Sequence, residues 1–197
     1  MNLPNAITLS RLILTAAFVL FVALEATWGH ITALILFMIA AISDFVDGWL
    51  ARKMNLVTPL GKLLDPLADK ILVCAAFVFL TAEGVCPVWI TALIIGREFL
   101  VTGLRQIAIE AGQVLAADNL GKWKTTFQLI YLIAGLIWLT FETMTSVPSS
   151  LKFLQTLTIP EWPDGGRLMP ITLGIAVALT VISGWNYLWS SRYLLKG

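Results

Sequence analysis

The chain has 197 residues, of which 58% are hydrophobic and 13% charged, with a formal net charge of +1 and a mean hydropathy of +0.87. A soluble domain draws about a quarter of its residues from the charged set, and a disordered chain needs low hydrophobicity and high charge, so both classes are excluded. A charge this close to zero, without a long Lys/Arg run, also argues against a nucleic-acid partner, which leaves lipid as the main solvent.

Six stretches reach the roughly 20 mostly apolar residues that a transmembrane helix needs: Ile7–Glu25, Ile31–Ala51, Leu60–Thr81, Val88–Glu110, Gly121–Thr145 and Met169–Leu195. The first has no basic segment ahead of it and no convincing small-residue cleavage site after it, so it is expected to stay as a helix and not to act as a signal peptide. Gly29 and His30 end the gap before the second, Thr58-Pro59 precedes the third, and Gly84 with Pro87 precede the fourth. Asp118-Asn119 can cap the fifth, and 148–170 is the one long loop. No internal repeat or low-complexity tract is apparent, which predicts a single domain over 1–197. The fold class expected is an all-α integral membrane protein of six transmembrane helices. Cys74 and Cys86, if on one helix, stand about 18 Å apart, too far to bridge, and are expected as free thiols.

An even number of spans puts both termini on one side of the membrane. Of the 13 Lys and Arg residues, only Lys152 and Arg167 fall on the opposite side. The excess of positive charge places the termini in the cytoplasm. Trp28, Trp89 and Trp162 then mark the outer interface, and Trp49, Trp123 and Trp189 the inner one.

Four carboxylates stand inside these apolar spans: Asp44 and Asp47 in the second, Asp65 and Asp69 in the third. Each costs about 2.5–3.5 kcal/mol in the bilayer on insertion scales. The pairs are spaced i, i+3 and i, i+4, so each shares one helix face. In an antiparallel hairpin turning near Leu56 and Val57, Asp44 comes opposite Asp69 and Asp47 opposite Asp65. Gly48 and Gly61, on or beside those faces, permit close approach of backbone or ligand. Arg52 is the only base in that helical register, so repulsion is not relieved by local cations. A carboxylate-only set suits hard divalent cations, Mg²⁺ or Mn²⁺, and two such ions would balance four carboxylates and serve phosphoryl displacement.

The run Asp44, Asp47, Gly48, Ala51, Arg52, Gly61, Asp65, Asp69 meets every fixed position of D-x2-D-G-x2-A-R-x8-G-x3-D-x3-D. It resembles the signature of the CDP-alcohol phosphatidyltransferase family. Asn5, Thr8 and Arg11, the segment from Arg97-Glu98-Phe99 through Arg105, and Gly121-Lys122-Trp123-Lys124-Thr125-Thr126 are similar to the branch that forms phosphatidylglycerophosphate. Cardiolipin-forming and other CDP-alcohol enzymes share the Asp signature, so the acceptor stays open among them.

The resemblance implies metal-dependent transfer of a phosphatidyl group from CDP-diacylglycerol to an alcohol, here glycerol 3-phosphate, with release of CMP. It implies an active site on the cytoplasmic side of the cell (inner) membrane and a homodimer. Asp44 and Asp65 would bridge two metal ions, Asp47 completing the first site and Asp69 the second, with Asp69 also taking the proton of the attacking hydroxyl. Gly48, Ala51, Arg52, Thr58 and Gly61, with Asn5 and Thr8, would bind CDP-diacylglycerol.

A phosphorylated acceptor needs cations of its own. Arg97 and Arg105, spaced i, i+8, share one face of the fourth span. Lys122 and Lys124 enter at the start of the fifth, and Arg192 lies near the end of the sixth. Arg suits a phosphate through its bidentate fork, and Lys adds a point charge. Glu98 is expected to pair with Arg97, Arg105 or Lys124 in a structural role. His30, Glu83, Glu142, Glu161 and Asp164 are expected to be solvated at the outer side. The competing class is a divalent-cation transporter, since intramembrane carboxylates also mark ion paths, but no broken helices or repeats accompany them here.

Overall fold

The computed structural model describes residues 3–54, 59–110, 112, 119–160 and 166–192, and within them the surroundings of the side chains other than those of 3–8, 44–54, 59–69 and 119. All regular structure among the described residues is helical. The helices are α1 (Leu3–Val22), α2 (Thr27–Met54), α3 (Pro59–Ala82), α4 (Val88–Glu110), α5 (Asn119–Glu142), a short α6 (Lys152–Thr158) and α7 (Leu168–Ser190).

The apolar stretches of the sequence coincide with the six long helices, and the ends differ for local reasons. α1 opens at Leu3, four residues ahead of the expected start, because Pro4 sits in a first turn whose N–H groups have no helical partner anyway. α2 opens at Thr27, so Gly29 is helical and does not end a gap. A Cβ on Gly29 would stand 2.9 Å from Leu24 Cβ and 2.9 Å from Phe21 O, so only glycine lets this turn lie so close to the end of α1. α4 spans Val88–Glu110 as expected. The long loop is partly ordered: a 3₁₀ turn over Ser149–Leu151 runs into α6, in the Gly- and Pro-free interval between Pro148 and Pro160. The predicted extension of the last span to Leu195 falls partly on 193–197, outside the described residues, as do the hairpin turn at Leu56 and Val57, and Trp162.

The core is built from one stripe of each helix. Phe18 of α1 meets Phe37 of α2 at 5.7 Å between ring centroids, and Phe77 of α3 stacks on Tyr131 of α5 at 6.0 Å. α5 lies along α7, α4 closes on α7, and α3 sits against α1, α4 and α5. Leu80, Ile94, Leu132 and Met169 fill the space between them.

The outward surface is apolar as well: Leu20 is 70%, Val88 72% and Trp185 65% exposed. Trp28, Trp89, Trp123 and Trp189 are likewise exposed. Large bare side chains over whole helix faces exceed what a water-soluble monomer presents. Among the described residues, Leu120–Glu142 and Leu168–Ser190 are long and apolar enough to cross a bilayer. The architecture is that of an all-helical membrane protein.

His30 corrects the expectation of a solvated side chain. It is 8% exposed, its Nδ1 lies 3.4 Å from Leu139 O, and its ring stands edge-on to Phe79. Starting α2 at Thr27 turns His30 into the bundle, where the α5 carbonyl offers it an acceptor. Glu83 and Glu142 are exposed as expected, Glu161 and Asp164 lie outside the described residues, and Cys74 and Cys86 are free thiols.

Candidate active site

The backbone of α2 is helical through Asp44, Asp47, Gly48, Ala51 and Arg52, and that of α3 through Gly61, Asp65 and Asp69. The i, i+3 and i, i+4 spacings therefore hold on uninterrupted helices. The side chains of these residues, and those of Asn5 and Thr8, lie outside the described set, and Thr58 lies outside it altogether. Among the residues whose surroundings are described, no group of three or more potential metal ligands gathers. The carboxylate quartet stands on helical register, and hard, anionic oxygens of that kind suit Mg²⁺ or Mn²⁺.

One residue past Asp69, Lys70 opens onto a charged centre. Its Nζ lies 3.0 Å from Glu98 Oε2. Glu98 stands on the buried stripe of α4 that also holds Ile94, Val101, Leu104 and Ala108. A carboxylate on that stripe must find cations, and it finds three. Besides Lys70, Arg97 Nη1 approaches Oε1 at 3.4 Å, and Lys124 Nζ of α5 donates to the same oxygen. Lys124 is only 2% exposed and Glu98 8%. Charges so far from water persist only when closely hydrogen-bonded to each other.

α7 completes the centre. Arg97 Nη2 donates to Ser183 Oγ at 2.9 Å, and a Cβ on Gly184 would come within 3.2 Å of Arg97 Cγ. The small pair Ser183-Gly184 therefore gives the arginine stem room against the helix. One turn on, Tyr187 accepts a hydrogen bond from Arg105 Nη2 at 2.9 Å. The Tyr187 ring lies 5.7 Å from the Arg97 guanidinium carbon and 5.3 Å from that of Arg105. Both guanidinium groups are attracted to the ring, which brings arginines two helical turns apart to one locus.

These side chains line a cavity of about 230 Å³ bounded by Lys70, Arg97, Glu98, Val101, Thr102, Arg105, Gly121, Lys122, Lys124, Thr125 and Tyr187. Four of the five cations expected for an acceptor phosphate, Arg97, Arg105, Lys122 and Lys124, are brought together here. The fifth, Arg192, is exposed, packs its guanidinium over the Trp189 ring at 4.6 Å and is not among the lining residues. Lys70, Thr102 and Tyr187 join the site with no role expected for them from the sequence, and Thr125 joins it from the segment that carries the family resemblance. The periodicity held a signal for two residues: Glu98 and Tyr187 both interrupt otherwise apolar or small buried stripes. Among the described lining residues five cations face one carboxylate, a surplus of positive charge suited to a phosphate dianion.

Comparisons with known proteins place the chain in a family. The family model described as CDP-alcohol phosphatidyltransferase matches residues 1–182. A Bacillus subtilis (strain 168) protein named CDP-diacylglycerol–glycerol-3-phosphate 3-phosphatidyltransferase is 40% identical over 208 residues, covering 99% of this chain and 97% of its own length. An Escherichia coli (strain K12) protein of the same name is 42% identical over 142 residues, covering 70% of this chain and 77% of its own. A match of that extent takes in the Asp signature on α2 and α3 together with the cation-lined cavity of α4 and α5, and on it the chain belongs to the CDP-alcohol phosphatidyltransferase family.

Proposed function

We propose that the protein transfers the phosphatidyl group of CDP-diacylglycerol to glycerol 3-phosphate, giving phosphatidylglycerophosphate and CMP. The observation that carries this is the cavity in which Arg97, Arg105, Lys122 and Lys124 gather beside Lys70, the residue next to Asp69 in α3. A phosphate held there would keep the free hydroxyl of the same acceptor close to the aspartate-bearing turn. An uncharged alcohol would have no use for such a concentration of charge. The relatives from Bacillus subtilis and Escherichia coli carry the name of this reaction.

Asp44, Asp47, Asp65 and Asp69 would hold two divalent ions, Mg²⁺ or Mn²⁺. When bound, these ions neutralise the pyrophosphate and stabilise the departing CMP. Asp69 accepts the proton of the acceptor hydroxyl as its oxygen bonds to the phosphatidyl phosphorus and the bond from that phosphorus to CMP breaks. Arg97 and Arg105 hold the acceptor phosphate by their planar forks, and Lys122 and Lys124 add charge. Gly48, Ala51, Arg52, Thr58 and Gly61, with Asn5 and Thr8, bind the nucleotide lipid. Six transmembrane helices, cytoplasmic termini and active site, an inner-membrane location and a homodimer complete the proposal. They rest on hydropathy, the charge asymmetry of the loops and the family resemblance.

The test is an acceptor screen in detergent with labelled CDP-diacylglycerol. Glycerol 3-phosphate should release CMP, whereas serine, inositol phosphate and phosphatidylglycerol should not. Excess EDTA should abolish turnover, with Mg²⁺ or Mn²⁺ restoring it and Ca²⁺ substituting poorly because it prefers more ligands at longer distances. Efficient transfer to phosphatidylglycerol would reassign the acceptor, and full turnover in EDTA would remove the two-ion site.

A further inference from the structure

Among the described residues, Glu98 is the one acidic residue lining the cation-rich cavity. Simple electrostatics makes its presence a cost: a carboxylate in a phosphate site repels the ligand. Its geometry points to a compensating task. Oε2 takes Lys70 from α3, while Oε1 takes Arg97 from its own helix and Lys124 from α5. One carboxylate therefore ties three cations on three helices. Arg97 is drawn in a second direction by Ser183 of α7, 2.9 Å away. Glu98 is the anion that Lys70, Arg97 and Lys124 have in common, and without it their mutual repulsion in a poorly solvated space would carry the flexible lysine stems apart.

We infer that Glu98 is a positioning residue for the acceptor phosphate: it holds Lys70, Arg97 and Lys124 in one fixed arrangement before the acceptor arrives. This rests on the cavity being the acceptor site. The gain from preorganising the donors outweighs the repulsion between carboxylate and phosphate, because a phosphate entering a fixed set of donors does not have to order them.

The two effects predict opposite signs, so Glu98→Gln decides between them. The variant keeps the shape, removes the negative charge and turns an amide NH₂ toward at least one cation. If attraction by net charge governed the site, the KM for glycerol 3-phosphate would fall. If positioning governs, it rises, by about tenfold or more, the weight of a charge-assisted hydrogen bond, while the KM for CDP-diacylglycerol stays within about twofold. Thermal unfolding of the purified protein, followed alongside, separates this from a loss of fold, which would depress both substrates together.

Glu98→Asp supplies the second arm should the Gln variant not fold. It preserves the charge but shortens the reach by one methylene, so the carboxylate cannot serve α3 and α5 at once. A rise in the KM for glycerol 3-phosphate alone, smaller than for Gln, is expected. A wild-type KM in Glu98→Asp, or a lowered KM in Glu98→Gln, overturns the inference. Arg105→Ala, measured in parallel, tests the cavity itself: an unchanged KM for glycerol 3-phosphate there would overturn the acceptor site. A raised KM in Arg105→Ala with a lowered one in Glu98→Gln would leave the acceptor site standing and remove only the role of Glu98.

Discussion

Where α4 ends and α5 begins, the helices are joined by ionised groups; at their other ends, neutral groups join them. In the first region Lys70, Arg97 and Lys124 converge on Glu98, and Arg105 on Tyr187. In the second, Thr27 Oγ1 donates to Thr143 O at 2.6 Å, tying the start of α2 to the end of α5. Thr81 and Thr91 share a hydrogen bond of 2.6 Å between α3 and α4, and Tyr131 donates to Val85 O at 3.1 Å. Both regions pair buried polar groups, though Arg105 Nε in the first has no hydrogen-bond partner among the described residues. Hydroxyls and carbonyls do so at low desolvation cost, whereas charges lose much of their hydration and recover it only through close pairing. A membrane protein that needed only to fasten helices would use the second kind of contact throughout. Keeping a charged centre with more cations than anions is explained by a ligand that supplies the missing negative charge.

The contrast between chemistry at one end and fastening at the other can be tested by substitution. The largest effect is expected from Asp69→Asn, which retains the shape of the side chain but cannot take up the hydroxyl proton. Turnover should fall by on the order of 10²-fold or more, the usual weight of a general base, while equilibrium binding of CDP-diacylglycerol is largely retained. Asp44→Asn should in addition weaken Mn²⁺ binding, measured by electron paramagnetic resonance of the purified protein. An Asp69→Asn enzyme working at the wild-type rate would remove that residue from the chemistry.

Arg105→Ala and Lys124→Ala come next. Each removes a charge-assisted contact to the acceptor phosphate, so the KM for glycerol 3-phosphate should rise by roughly ten- to a hundredfold, with that for CDP-diacylglycerol nearly unchanged. Initial rates with one substrate saturating and the other varied give the split. Equal loss for both substrates would mean that the two charged centres do not divide the substrates between them. Lys124→Ala should also lower thermal stability, because it leaves Glu98 with one partner fewer in a buried place.

The smallest effect belongs to the neutral end. Thr27→Val deletes one hydrogen bond of about 1 kcal/mol, equivalent to a few degrees in Tm for a chain of this size. The KM of either substrate and the turnover of the folded enzyme should not change. A substrate-specific defect in Thr27→Val would show that the two ends are coupled and that the contrast between them is false.

Much of this protein was legible from residue order, because two of its properties are local. A bilayer demands about 20 apolar residues in succession, so the helices announce themselves along the chain, and their observed ends shift by only a few residues where Pro4 or Gly29 acts. The eight positions of the Asp signature lie within one pair of successive helices, where fixed spacing is spatial arrangement. The gathering of Arg97, Arg105, Lys122 and Lys124 was also within reach, since the first two share a helix face and the others open the next helix. Tertiary structure decided what depends on contacts between distant stretches. Whether Glu98 would bind one cation or three depended on how α3, α4 and α5 pack. That Tyr187 would serve both arginines followed from the placement of α7. The place of His30 near a loop predicts solvation, yet it is buried because α5 presents the Leu139 carbonyl to it. The place of Arg192 along the chain groups it with the acceptor cations, but the structure lays it on Trp189. Periodicity specifies the face of a helix on which a side chain stands, and only the packing of the helices specifies what that face meets.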